Sequence, residues 1–361
     1  MTATAPLMLS AFPSFEVGGA QVRFAQLATA FGDTWRHAIV AMDGVYDCAG
    51  RLPAGLAVSY PHVTVIKGDL VGNVRRFRAA LRALRPDVLV TYNWGTIEWC
   101  IANLVPLARH VHIEDGFGPE ERDRQLPRRV WMRRLTLRRA TVVLPSLTLK
   151  RIAEDVWRLP RQRLRYVPNG IALARFRQRA AGGLGAEPVI GTVAGLRPEK
   201  NLARLLRAFA RLRAERAARL EIVGDGPERA ALETLAAGLG IAASVTFHGY
   251  QGDPAPFLER FDVFALSSDT EQMPLSVLEA MASGLAVVAT DVGDLREIVS
   301  EENGPLIVAK DDGALAAGLA RALADDALRA EAGRANRLKA EREYDERLMA
   351  ERYRRIFGAS G

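Results

Sequence analysis

The chain has 361 residues, of which 49% are hydrophobic, 25% charged and 7% aromatic, a globular composition that excludes disordered, collagenous and integral-membrane classes. At about 100–200 residues per domain its length predicts two domains. The formal charge of +7 comes from 49 basic residues, all but five of them arginine, which favours anionic partners without naming one.

Met1 to Ser10 has no basic leader, and no apolar run reaches the roughly 18 residues of a membrane span, so neither export nor spanning is expected. Cys48 and Cys100 lie in no CxxC pattern, which fits a reducing cytoplasm. Short apolar runs then alternate with segments of helical period, the pattern of an α/β chain with parallel sheets. Strands are predicted at Leu7–Ser10, His37–Met42, Val63–Ile66, Asp87–Tyr92, Arg109–His112 and Thr141–Ser146, with helices such as Gln21–Phe31 and Val71–Leu84 between them. The Gly/Ala stretch from Arg177 to Glu187 breaks the pattern, which restarts at Val189–Val193. Further strands follow near Leu220–Val223, Ser244–Phe247, Asp262–Leu266, Leu285–Thr290 and Leu306–Val308, and Asn201–Arg213 carries a helical apolar stripe. The expected architecture is two doubly wound domains, 1–172 and 173–342, facing an interdomain cleft, with a last helix in 343–361 packing back on the first.

Several residues have chemistry-bearing placement. Gly18-Gly19 sits in the first strand-to-helix connection, where it lets a ligand approach the backbone or simply makes a turn. His110 and His112 end a strand, followed by Glu114 and Asp115; they offer a general base or polar contact, or equally a packed edge. With no third ligand at metal spacing, no metal site is predicted. Arginines 122, 124, 128, 129, 133, 134, 138 and 139, with Trp131, read as a basic amphipathic helix after Pro127 that suits anionic lipid, or as a solvated face; without aromatic interleaving, nucleic acid is not expected. Lys200 precedes a helix capped by Asn201, where a phosphate or only solvent would sit. Gly224-Asp225-Gly226-Pro227 follows a strand, but Arg229 fails the dinucleotide fingerprint. Glu271 and Glu279 flank the start of a helix opening near Pro274, a pairing of hydroxyl-accepting carboxylates with a phosphate-binding N-terminus that suits a nucleotide sugar; favourable dipole placement alone is the alternative.

In this order, Gly18-Gly19, Val167-Pro168-Asn169-Gly170-Ile171, Arg197-Pro198-Glu199-Lys200-Asn201, Gly224-Asp225-Gly226-Pro227, Phe247-His248-Gly249 and E-x7-E from Glu271 to Glu279 resemble the retaining glycosyltransferases of family 4, of GT-B fold. The resemblance spans essentially the whole chain. It implies that Glu279 holds ribose hydroxyls, Glu271 the hydroxyls of the donor sugar, and the backbone of Met273, Pro274, Leu275 and Ser276 the diphosphate. Lys200 and the amide of Gly19 would neutralise the leaving diphosphate, and Gly18, Arg197, Gly224, Gly249 and Tyr250 complete the expected donor site. His112 or Asp115 would face the reacting sugar. No metal or other cofactor is implied beyond a UDP- or GDP-linked sugar donor.

The chain departs from the family at Ala194-Gly195-Leu196, where a phosphate-binding arginine usually stands, and at Gln272, where a glycine is usual. The expected activity is transfer of a sugar to a lipopolysaccharide, exopolysaccharide or lipid-linked glycan by a cytoplasmic enzyme able to rest on the inner membrane face. The alternatives are an inactive nucleotide-sugar-binding subunit, favoured by Gly195, and a sugar-nucleotide epimerase of the same fold.

Overall fold

The computed structural model describes residues 5–117, 119–121, 124–178 and 184–358. Arg122 and residues 179–183 of the expected linker lie outside the described residues. The chain forms two compact units, one made of the residues before Gly170 together with the helix from Arg347 onward, the other running from Gly170 to Glu346.

The first unit contains β1 (Leu7–Phe12), α1 (Gly19–Phe31), β2 (Arg36–Ala41), β3 (Val58–Ser59), α2 (Leu70–Leu84), β4 (Val88–Tyr92), α3 (Ile97–Ala102), β5 (Arg109–Ile113), α4 (Pro127–Leu137), β6 (Thr141–Leu144), α5 (Leu147–Asp155) and β7 (Leu164–Tyr166). Its parallel sheet has the order β3-β2-β1-β4-β5-β6-β7. β4 is buried along its whole length and β1 at all but its first residue, as parallel strands covered on both faces require.

The predicted strand Val63–Ile66 is absent, and the edge strand is β3 instead. The backbone of Ile66 is diverted to a side chain: Asn73 Oδ1 accepts from its N–H at 3.0 Å and Asn73 Nδ2 donates to its carbonyl at 2.9 Å. With both groups satisfied by α2, that residue has nothing left for a sheet. β7 has no counterpart among the predicted strands, because Leu-Arg-Tyr is too short and polar to give a periodic signal.

The second unit contains β8 (Val189–Val193), α6 (Leu202–Glu215), β9 (Arg219–Val223), α7 (Arg229–Gly238), β10 (Val245–Gly249), α8 (Ala255–Leu258), β11 (Val263–Leu266), α9 (Leu275–Ala282), β12 (Val287–Thr290), α10 (Leu295–Ile298), β13 (Ile307–Val308), α11 (Asp312–Ala324) and α12 (Asp326–Glu343). The sheet order is β10-β9-β8-β11-β12-β13. The Asn201 side chain caps α6 by accepting from the Arg204 N–H, and the apolar stripe of Leu202, Leu205, Leu206, Phe209 and Leu212 is buried. Each such side chain contributes about 1.5–3 kcal/mol on full burial.

The last helix, α13 (Glu346–Phe357), lays Met349, Ala350, Tyr353 and Phe357 into the core of the first unit, beside Phe24, Phe31 and Trp35. In each sheet the strand order reverses between two neighbours, β1 and β4 in one and β8 and β11 in the other. Parallel sheets leave a crevice beyond the carboxyl ends of such neighbours, so the loops after these four strands are where ligand-binding groups are expected.

Candidate functional site

The loops after β8 and β11 are tied together. Ser267 Oγ donates to the Lys200 carbonyl at 3.0 Å, the Asp269 N–H donates to the Glu199 carbonyl at 2.9 Å, and Arg204 pairs with Asp269 at 2.8 Å. This frame places Lys200 Nζ 2.6 Å from Glu271 Oε1, and Ser268 Oγ donates to the same oxygen at 2.7 Å. Both members of the ion pair are largely shielded, at 18% and 9% side-chain exposure, which keeps their interaction stronger than a surface pair's. Gly293, which sequence reasoning passed over, has φ +56°, and a Cβ there would lie 2.1 Å from the Glu271 carbonyl; only glycine admits that approach.

α9 begins at Leu275 with Pro274 as its capping residue and no side-chain cap, which leaves its first N–H groups directed out of the helix end. Met273 and Pro274 are buried, so their backbone rather than their side chains is what a ligand would meet. Glu279 lies within the same helix, half-buried. Desolvation pushes its carboxyl up to about 7, against the opposing charge of Arg175 and with a smaller push from Asp253. Arg175 is itself paired with Asp253 at 2.8 Å, and no motif had marked either residue.

The remaining expected donor residues divide. Arg197 is 60% exposed and 3.2 Å from Glu199. Its Nε lies 3.4 Å from the point a Cβ on Gly195 would take. At Gly224 a Cβ would lie 1.9 Å from the Ala194 carbonyl, so only glycine lets this turn pack against the β8 loop. Gly249 accepts from the Gly224 N–H at 2.8 Å, and the Tyr250 side chain is 63% exposed.

In the first unit, Gly18 and Gly19 begin α1 without a side-chain cap. After β4, Asn93 has φ 55° and ψ −179°, a rare conformation for a residue with a side chain. Its Oδ1 accepts from the Asp115 N–H at 2.6 Å, so the strain fixes the start of the loop after β5. Arg23, buried at 2% exposure, donates to both Asp115 oxygens at 2.6 and 2.8 Å and to Asn169 Oδ1 at 2.7 Å. Burial opposes the charge of Arg23, but Asp115 outweighs it and keeps the guanidinium protonated. Neither Arg23 nor Asn93 carried a sequence signal.

His112 is 1% exposed, with Nδ1 2.8 Å from Thr91 Oγ1 and 3.9 Å from Cys100 Sγ. Burial alone would lower its pKa, yet Cys100 and Glu114 raise it to about 9. The structure thus supplies from α3 the third group, Cys100, that the histidine spacing lacked.

The helix after Pro127 forms, but its arginines are not one solvated face. Arg133 is buried, 3.2 Å from Glu114 and 3.1 Å from Glu121, and Arg134 donates to the carbonyls of Trp157 and Val156 at 3.1 Å. Arg128, Trp131, Leu135 and Arg138 remain exposed at helical spacing. Among the described residues, no helix is long and apolar enough to cross a membrane.

Comparison with known proteins bears on this arrangement. Residues 17–175 match the family described as Glycosyltransferase Family 4, and residues 175–339 match Glycosyl transferases group 1. The chain belongs to the family 4 glycosyltransferases. It is 27% identical over 291 residues to an uncharacterized glycosyltransferase of Methanocaldococcus jannaschii, covering 74% of each chain. It is 35% identical over 143 residues to the lipopolysaccharide core biosynthesis glycosyltransferase LpsE of Rhizobium meliloti, which is 39% of this chain and only 41% of that one. The solved structure of Anabaena HepE in complex with UDP is 17% identical, covers 98% of this chain and 100% of its own, and superposes with a TM-score of 0.81. Each unit of this glycosyltransferase is accordingly one half of a GT-B fold, and its class of chemistry is hexosyl transfer.

Proposed function

We propose that this glycosyltransferase takes a hexose from a UDP- or GDP-linked donor and transfers it, with retention and without a metal, to a cell-surface glycan of the lipopolysaccharide, exopolysaccharide or lipid-linked kind. The observation that carries the reading is the shielded Lys200–Glu271 pair beside the open start of α9. In the proposed complex the Glu271 carboxylate accepts from donor-sugar hydroxyls, Lys200 turns to the diphosphate, and the first N–H groups of α9 hold the same phosphates. Glu279 accepts both ribose hydroxyls when ionised.

In the reaction the bond from the anomeric carbon to the diphosphate oxygen breaks, the acceptor oxygen bonds to that carbon on the same face, and the departing phosphate takes the acceptor proton. Charge on the leaving diphosphate is the main load, so Lys200 and the α9 amides act by electrostatic stabilisation. In the first unit Asp115 is fixed by Arg23 and Asn93, whereas the ring of His112 is enclosed by Thr91, Cys100 and Glu114. HepE has been solved with UDP-glucose, which supports a UDP donor, and LpsE acts in lipopolysaccharide core biosynthesis, which supports the acceptor class.

The Arg128-Trp131-Leu135-Arg138 stripe supports a peripheral stay on an anionic membrane, with the indole at the headgroups and the arginines drawn to lipid charge. The test is a melting-temperature screen against UDP-, GDP-, ADP- and CMP-sugars in the presence of a chelator, followed by nucleotide release with lipid-linked glycan acceptors. A shift for one series and acceptor-dependent release support the proposal. No shift with any donor overturns it. For the membrane, binding to vesicles that ignores anionic lipid and salt removes that part.

A further inference from the structure

Beneath the loop that carries Asp115, side chains from three elements converge inside the first unit: Thr91 from β4, Cys100 from α3, and His110 and His112 from β5. Thr91 Oγ1 is 2.9 Å from His110 Nε2, 2.8 Å from His112 Nδ1 and 3.5 Å from Cys100 Sγ. Cys100 Sγ is 3.9 Å from His112 Nδ1, and the sulfur and the two ring nitrogens all lie within 4.8 Å of one another. Cys100 and His112 are fully buried, while His110 is half-buried and gives the cluster a side toward solvent.

Tetrahedral zinc with bonds of about 2.0–2.3 Å has donor-to-donor edges of roughly 3.3–3.8 Å. The observed separations straddle that range, so the donors need only redistribute around an ion. We infer that Cys100, His110 and His112 bind a structural zinc ion, with the Thr91 hydroxyl or a water as fourth donor. One thiolate with two imidazoles is a donor set that suits zinc over hard cations such as magnesium.

A second, independent feature points the same way. His112 Nε2, on the side of the ring away from the cluster, lies 3.6 Å from Glu114 Oε2. That carboxylate is itself held by Arg133 Nε at 3.2 Å. At that distance the carboxylate makes no hydrogen bond and acts on the ring by its charge, which favours a proton on Nε2 and leaves Nδ1 to face a metal. Zinc takes a thiolate and neutral imidazoles, so binding would release to solvent the proton that the Cys100–His112 pair holds. The ion would then fasten β4, α3 and β5 together directly below Glu114 and Asp115, outside the donor site in the second unit.

The test uses the full chain carrying Cys48→Ser, so that Cys100 is its single thiol, stripped with a chelator and titrated with Zn²⁺ and Co²⁺. Stoichiometric uptake, a thiolate-to-cobalt charge-transfer band with tetrahedral ligand-field bands, and a raised melting temperature are expected. Cys100→Ala should abolish the charge-transfer band, and Glu114→Gln should weaken zinc binding roughly 10–100-fold. X-ray absorption on the zinc-loaded unmutated chain reads sulfur and nitrogen ligation even if a variant fails to fold. Absence of stoichiometric uptake, a six-coordinate cobalt spectrum, or a zinc shell without sulfur overturns the inference.

Discussion

Lys200 Nζ and Glu271 Oε1 are 2.6 Å apart across 71 residues of sequence, each on the loop that leaves one of the two central strands of the second sheet. On the proposed reading, the pair holds a cation ready where a leaving diphosphate gathers charge. Lys200→Met should lower kcat about 10²–10³-fold, the effect of removing one preorganised stabilising group. It also leaves Glu271 shielded and without its cation, which destabilises the fold. Lys200→Met combined with Glu271→Gln should recover melting temperature but not turnover. Recovery of turnover in the double variant would show that the pair only braces the two loops.

On the proposed role of Glu279 at the ribose, nucleotide binding depends on pH. Its carboxyl is raised from 4.5 to about 7 in the folded chain, so between those values the native state holds a proton that the unfolded chain has released, and ionising it at higher pH opposes folding. Ribose hydroxyls donating to the carboxylate favour the ionised form. Affinity for the free nucleoside diphosphate should therefore rise with pH through about 7, the loss below approaching about tenfold per pH unit. Calorimetric titration across this range should give a flat, weaker profile for Glu279→Gln.

The second unit was legible because its signals are local. The E-x7-E spacing and the Asn201 cap both act within a few residues, and the predicted strands of that unit form near their expected positions. The first unit was less so, because its decisive contacts are distant. Nothing near Ile66 announces that Asn73 will take both of its backbone groups, and nothing near Asp115 announces Arg23, 92 residues away. Spacing also misled at α4. Eight arginines read as one charged surface, whereas Arg133 faces inward to Glu114 and Glu121.

His37 should set the acid limit of the first unit. It is 2% exposed, neither ring nitrogen has a hydrogen-bond partner, and Phe24 meets it edge-on with centroids 5.5 Å apart. Burial lowers its pKa from 6.5 to about 4. The unfolded chain binds the proton first, so stability is complete above pH 6.5 and declines as pH falls toward 4, by about 3 kcal/mol in all. Urea denaturation at stepped pH should show this loss in the parent chain and a shallower slope in His37→Leu.

Arg197 and Gly195 allow the missing family arginine to be tested directly. The atoms nearest to a Cβ on Gly195 would be those of the Arg197 side chain, the first of them Nε at 3.4 Å, so the guanidinium hangs over the space that a residue at position 195 would enter. If Arg197 supplies from two positions on the charge that relatives supply from position 195, removing it should raise the donor KM and lower kcat together, since the diphosphate is bound in the ground state and gains charge in the transition state. Returning an arginine to position 195 should then rescue the loss, because Gly195 has no left-handed backbone to strain and the side chain nearest to its Cβ position is flexible. The measurement is kcat and KM for donor in Arg197→Ala and in Arg197→Ala with Gly195→Arg. Rescue in the second identifies Arg197 as the substitute; an Arg197→Ala enzyme with unchanged constants means that Lys200 and the α9 amides carry the diphosphate without it.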